Sequence, residues 1–282
     1  MASQENSQDK RAIQQDIIAA LGAQPDIDPQ REIERRVGFL RDHMLESGQH
    51  VLVLGISGGV DSTVAGRLCQ LAVEDARARD VDARFYAMRL PYGEQKDEDE
   101  AQMAIRFIQP DEVLTTDVKP ASDAMLAALE QGGLIFNDDA HRDFVMGNIK
   151  ARQRMIAQYA VAGARRGLVV GTDQAAEAMM GFFTKYGDGA CDLAPLTGLT
   201  KGQVRDIGRA LEAPAQLVEK VPTADLESLR PQLKDEGALG VTYVQIDRFL
   251  TGQEIEDEAF RTIVDTYRRT EHKRALPRSP LG

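Results

Sequence analysis

The chain has 282 residues, a formal net charge of −11 and two cysteines, Cys69 and Cys191. That length is enough for one large domain with a substantial core; the acidity argues against a surface that coats nucleic acid, and two isolated cysteines argue against a Cys-x-x-Cys metal or dithiol centre. No apolar run reaches membrane-spanning length and no signal peptide precedes the first helix, so a cytoplasmic, reduced protein without membrane contact is expected.

Residues 1–10 are polar and are expected to be mobile. Helices are predicted over about Arg11–Leu21 and Pro29–Glu46, the second with Asp28 as N-cap, Pro29 at its first position and Ile33, Val37 and Leu40 on one face. Val51-Leu52-Val53-Leu54 reads as a buried strand. It is followed by Gly55-Ile56-Ser57-Gly58-Gly59-Val60-Asp61-Ser62 and a helix to about Arg79. A second strand spans Ala83–Leu90 and ends at Pro91-Tyr92-Gly93. Asp97-Glu98-Asp99-Glu100 open a helix through Phe107; acids favour a helix's first turn, so a metal role is the weaker reading. Val113–Val118 reads as a third strand, and Lys119–Gln131 as a helix stopped at Gly132-Gly133. A long helix covers Asp138–Arg166, and Leu168–Val170 is a short fourth strand before Gly171-Thr172-Asp173. After Gly189 the chain reads as helical with loops and no clear strand. Alternating strands and helices predict an α/β fold, a parallel sheet with helices on both faces and a helical C-terminal part. No repeat or linker interrupts it, so a single domain over 1–282 is expected.

The glycine-rich turn between a buried strand and a helix presents free backbone N–H groups where phosphate oxygens bind. Gly58 and Gly59 permit close approach, and Ser57 and Ser62 add hydroxyls. No Lys follows, as in a Walker loop, and there is no G-x-G-x-x-G order. Asp61 among phosphate donors makes sense with a hard cation such as Mg²⁺ between carboxylate and polyphosphate. The turns at Gly55, Arg89-Leu90-Pro91 and Gly171-Thr172-Asp173 all lie at strand carboxyl ends and should converge. Arg152 shares a helical stripe with Val145, Ile149, Ile156 and Ala160; it is either an ion-pair partner of a neighbouring helix or subunit, or an anchor for an anionic substrate. Glu177 lies either on a solvated face or aimed at the phosphate site, where it would share a cation with Asp61. Gly181–Gly189 is either a closing loop or an ordinary connection. Lys201 follows the N-cap Thr200 and opposes the helix dipole, which favours an anion partner. His272 and Lys273 suit a helix C-terminus and by themselves show little.

Ser57-Gly58-Gly59-Val60-Asp61-Ser62 resembles the pyrophosphate loop of the N-type ATP pyrophosphatases. With Gly171–Glu177, Gly181–Gly189, Pro222-Thr223-Ala224-Asp225-Leu226 and Thr270-Glu271-His272-Lys273-Arg274, the chain resembles the bacterial NAD synthetases from about Ile13 to Arg274. The resemblance implies an adenine-nucleotide alpha-hydrolase-like, Rossmann-like fold and a homodimer. It implies ATP-dependent amidation of deamido-NAD through an acyl-adenylate, releasing pyrophosphate and AMP. It leaves no room for a glutaminase domain, so free ammonia is the expected nitrogen donor. ATP would be held by Gly55–Ser62, Thr172, Lys201 and Thr223, with Arg89 near the adenine, and Asp61 and Lys201 in the catalytic role. Mg²⁺ would be held by Asp61 and Glu177. Arg152, Lys185, Asp192, His272 and Lys273 would contact deamido-NAD at the dimer interface. The chain departs from the family at Val60, usually Gln, at Cys191, and in its tail Pro277–Gly282. A tRNA-thiolating relative and a non-catalytic nucleotide-binding module are the competing readings; the lack of paired cysteines counts against the first, and Asp61, Glu177 and the basic residues against the second.

Overall fold

The structure, a computed structural model, describes residues 2–93, 98–224 and 233–280, with side chains for 8–93, 98–222 and 235–280. In chain order the elements are α1 (Ala2–Leu21), α2 (Pro29–Glu46), β1 (Val51–Gly55), α3 (Val60–Arg77), β2 (Arg84–Arg89), α4 (Glu98–Ile108), β3 (Glu112–Thr115), α5 (Lys119–Gln131) and α6 (Asp139–Arg165). There follow β4 (Gly167–Val169), α7 (Ala175–Met180), α8 (Lys201–Ala210), α9 (Ala215–Val218), β5 (Thr223–Ala224), β6 (Leu233–Lys234), α10 (Asp235–Leu239), α11 (Tyr243–Leu250), α12 (Asp257–Arg269) and α13 (Glu271–Arg274). The main sheet has the order β3-β2-β1-β4 and is parallel throughout.

A parallel sheet is covered on both faces, which is why its strands read as unbroken apolar runs. Leu52, Leu54, Phe85 and Ala87 face a core shared with α2, α3 and α8. Val51, Val53, Tyr86 and Met88 face the other way, toward Ala157, Val161 and Ala162 of α6. A third core joins α1 to α7, α11 and α12, so the two ends of the chain pack together. Gln14 of α1 ties this junction by donating to the carbonyls of Phe249 and Gln253.

The order of strands places the site. From central β1 the chain passes through α3 to β2 on one side, and it returns through α6 to β4 on the other. Ligand crevices in open α/β sheets form at such a reversal, beyond the strand carboxyl ends. The Gly55 turn and the 171–173 turn flank that reversal.

Several expectations change. The backbone is helical from Ala2, not from about residue 11. Lys10 contributes by pairing with Asp257 at 2.8 Å and lying over the Phe260 ring, which ties α1 to α12. The region after Gly189 is not strand-free: β5 and β6 form a two-stranded antiparallel ribbon, and Leu193 bridges Val170 in parallel beside β4. Runs this short carry no readable period in sequence. Asp97, Asp225 and Leu226 lie outside the described residues, as does the side chain of Thr223.

Candidate active site

The turn after β1 is held by its own hydroxyls. Gly59 is the N-cap of α3 and has no side chain to fill that role, so Ser57 Oγ accepts the Gly59 N–H at 3.3 Å. Ser57 Oγ and Ser62 Oγ lie 3.1 Å apart, and Ser62 Oγ and Thr63 Oγ1 both donate to the Gly59 carbonyl. Gly58 has φ +85°, and a Cβ there would come within 2.8 Å of the Ala101 backbone nitrogen; only glycine fits that conformation and that gap. Gln158 of α6 braces the base of the turn by accepting the Gly55 N–H at 2.8 Å.

The turn lines a cavity of about 500 Å³. Gly55, Ile56, Ser57, Gly59, Val60, Asp61, Ser62, Thr172, Glu177, Lys201 and Lys273 all reach its wall. Gly58 supports the turn from behind. Residues from four distant stretches therefore meet at the sheet reversal. Val60 also packs into the core beside α8 and is almost fully buried, so an apolar residue is well placed there.

Lys201 opens α8. A capping box between Thr200 and Gln203 forms its N-terminus, and the Asp247 carboxylate accepts the N–H groups of Lys201 and Gly202 at 3.1 and 2.7 Å. Those anionic contacts satisfy a helix start whose first residue is a cation. The Lys201 ammonium is 3% exposed and donates to Asp61 Oδ2 at 2.5 Å. Burial works against its charge, but Asp61 and Glu177 outweigh that, and its pKa lies above the ordinary lysine value. Burial, and then the charge of Asp61, push the Glu177 carboxyl well above the carboxylate range. Burial and the neighbouring Asp188 and Asp61 raise Asp173 to about 7.

Asp61 Oδ1 is buried and has no partner among the described residues. Two carboxylates, one with an oxygen left over, suit a hard cation that takes its remaining ligands from substrate phosphates. No group of three or more His, Cys, Asp or Glu among the described residues is arranged to hold an ion by protein atoms alone, and Mg²⁺ on a nucleotide does not require one.

The remaining predicted residues lie apart from the wall of this cavity. Arg89, buried at the end of β2, makes a two-pronged contact with Glu98 at 2.7 and 2.5 Å. Arg152 is exposed and does not share the buried stripe of Ile149; its guanidinium donates to the Lys185 carbonyl at 3.2 Å. Lys185 in turn donates to the His272 carbonyl. The three are thus linked through backbone carbonyls, with Arg152 and His272 exposed and Lys185 half-buried. Asp192 sits at the edge of β4, where Oδ2 accepts the Val169 N–H at 2.7 Å and Oδ1 faces Tyr159 at 3.3 Å.

The Gly181–Gly189 segment is braced from both sides. Lys273 donates to the carbonyls of Gly181 and Phe183 at 2.8 Å each, Asn148 accepts from Thr184, and Asp188 accepts the Thr184 N–H. The acids Asp188 and Asp235 and the base Arg154 also line the cavity, although sequence reasoning assigned them no role. Asp188, between two glycines, carried a weak signal in its motif. Asp235 and Arg154 carried none, since each reaches the site only by packing of its helix.

A family model described as NAD synthase matches residues 32–277. The chain is similar to the NH(3)-dependent NAD(+) synthetase of Streptomyces coelicolor, 64% identical over 95% of this chain and 98% of that one. It is similar in structure to the NAD+ synthetase of Burkholderia pseudomallei, with TM-score 0.83, 57% identity and coverage of 95% and 98% of the two chains. The NMN synthetase of Francisella tularensis also aligns, with TM-score 0.78, 33% identity and coverage of 90% and 99%.

Proposed function

The chain belongs to the NAD synthase family, and from that premise we propose how its residues carry out the reaction. Its activity is ammonia-dependent NAD synthesis with ATP as co-substrate. The observation that carries the assignment of roles is the convergence of the Ser57–Ser62 turn, the buried Asp61–Lys201 pair and Glu177 on one cavity at the sheet reversal.

In this reading ATP lies with its phosphates on the turn, where the N–H groups, Ser57 and Ser62 donate to them. Lys201 neutralises charge on the leaving pyrophosphate, and Thr172 and Thr223 add contacts. Asp61 and Glu177 hold Mg²⁺, which supplies charge neutralisation on the polyphosphate when bound. The nicotinate carboxylate of deamido-NAD attacks the α-phosphorus, the α–β bridge breaks and pyrophosphate leaves. Ammonia then attacks the acyl carbon, the C–O bond to the adenylate breaks, AMP departs, and the nitrogen releases one proton to solvent to leave the amide of NAD⁺. Oxide cannot leave a carboxylate, whereas AMP can, which is the chemical reason for spending ATP. The apolar lining, Phe182 and Phe183 among it, keeps water from the adenylate.

Arg152, Lys185, Asp192, His272 and Lys273 receive deamido-NAD in this reading, and a second subunit completes their site. Support comes from exposed Met125, Leu129, Leu134, Ile135, Phe144 and Ile156 on α5, the following turn and α6. An apolar group of that size beside an exposed arginine suits a subunit interface. Arg89 stands behind the adenine end of the crevice. Among the described residues no helix is long and apolar enough to cross a membrane.

The test is direct. The protein is mixed with ATP, Mg²⁺, deamido-NAD and ammonium, and NAD⁺, AMP and pyrophosphate are expected in equal amounts. Formation of ADP, or a preference for the mononucleotide acid as acceptor, would remove the reading.

A further inference from the structure

Asp235 opens α10, is 7% exposed, and lines the nucleotide cavity. Tyr243 donates to its Oδ2 at 3.0 Å. Its Oδ1 is buried and has no hydrogen-bond partner among the described residues. An aspartate half-satisfied in this way costs stability, so this buried acceptor calls for a donor. Lys201 is the nearby candidate. Its ammonium lies 5.1 Å from the centre of the Tyr243 ring, within electrostatic reach of Asp235, and its backbone is pinned by Asp247. The root of the side chain is fixed, and a flexible four-carbon stem separates it from the head.

In the structure that head is committed to Asp61. On the reading above, which this inference rests on, Asp61 and Glu177 turn to the cation once nucleotide binds. A buried ammonium does not survive without a counter-charge. It has three donors, so contact with phosphate leaves others to place. We propose that Asp235 is the carboxylate to which Lys201 turns when Asp61 takes up the cation, a positioning residue aimed by Tyr243. The pair Asp235–Tyr243 keeps Lys201 charged and in place while its first partner changes role.

The test reads binding, not turnover. Calorimetry with α,β-methylene-ATP gives the Mg²⁺ concentration for half-maximal nucleotide binding in each variant. Asp235→Asn raises it about tenfold or more, because Lys201 then competes with the cation for Asp61; outer partners of metal ligands typically count for that much. Tyr243→Phe shifts it in the same direction by a smaller factor and retains the carboxylate if Asp235→Asn folds poorly. In a Lys201→Met background, Asp235→Asn produces no further shift, since nothing competes. An unchanged Mg²⁺ requirement in both single variants overturns the proposal. So does an equal shift in the Lys201→Met background, which would make Asp235 a direct ligand. Asp61→Asn probes the underlying reading separately. If it leaves the Mg²⁺ requirement at the wild-type value, that reading falls and the proposal with it.

Discussion

Lys201 and Asp61 are 140 positions apart in the chain and 2.5 Å apart in the site. Their pair is worth little as a stabiliser, because desolvation of both charges offsets their attraction. Its value is a charge held ready where phosphates arrive. Lys201→Met is therefore expected to lower kcat/KM for ATP by roughly 10²–10³, as loss of one preorganised charge contact does, measured by steady-state NAD⁺ formation. Asp173 makes a prediction about pH. Its carboxyl, raised by burial and by Asp188 and Asp61, titrates at about 7 in the folded protein against 3.8 ordinarily. Over that interval the folded state holds a proton that the unfolded chain releases, so stability falls as pH rises from the lower value to the higher. Asp173→Asn removes this dependence. Its melting temperature is expected to match the wild type near the lower value and to exceed it by about 3–6 °C above the higher one, measured by calorimetry across pH.

The elements differ in how openly their sequences declare them. Asp28-Pro29 announces the start of α2, and the Asp28 carboxylate does accept from Gln30 and Arg31; Lys119–Gln131 ends at its Gly132-Gly133 stop. Capping and period are local, so they can be read locally. β5, β6 and the bridge at Leu193 are not, because runs of two residues exist only through their partners. The Gly181–Gly189 segment shows the same limit. Its glycines suggest a lid, but α13 grips it: Lys273 holds Gly181 and Phe183, and Arg274 donates to the Ala178 carbonyl. Lys273→Met is expected to speed limited proteolysis within 181–189 several-fold by releasing two carbonyl contacts, each worth about 1 kcal/mol, with little change elsewhere in the digest.

For the molecule as a whole, the turn between α5 and α6 carries Ile135, which is 86% exposed, and α6 carries exposed Ile156. Arg152 lies on the same exposed side of α6. If this face joins two copies, Ile156→Asp with Ile135→Asp yields a monomer by sedimentation at micromolar concentration and weakens deamido-NAD binding about tenfold or more, while ATP binding changes little; burying an unpaired carboxylate at an interface costs that much. The amino-acid sequence by itself determined the alternation of strands and helices, the phosphate-binding turn with Asp61, and the family to which the whole pattern belongs. Those follow from local rules: period, capping, glycine at a positive φ. Tertiary structure alone decided that Asp61 meets Lys201, that Asp235 and Asp188 share the cavity, and that Arg152 is exposed. A residue's charge state and partners depend on which distant elements the strand order brings beside it, and at β1 that order reverses.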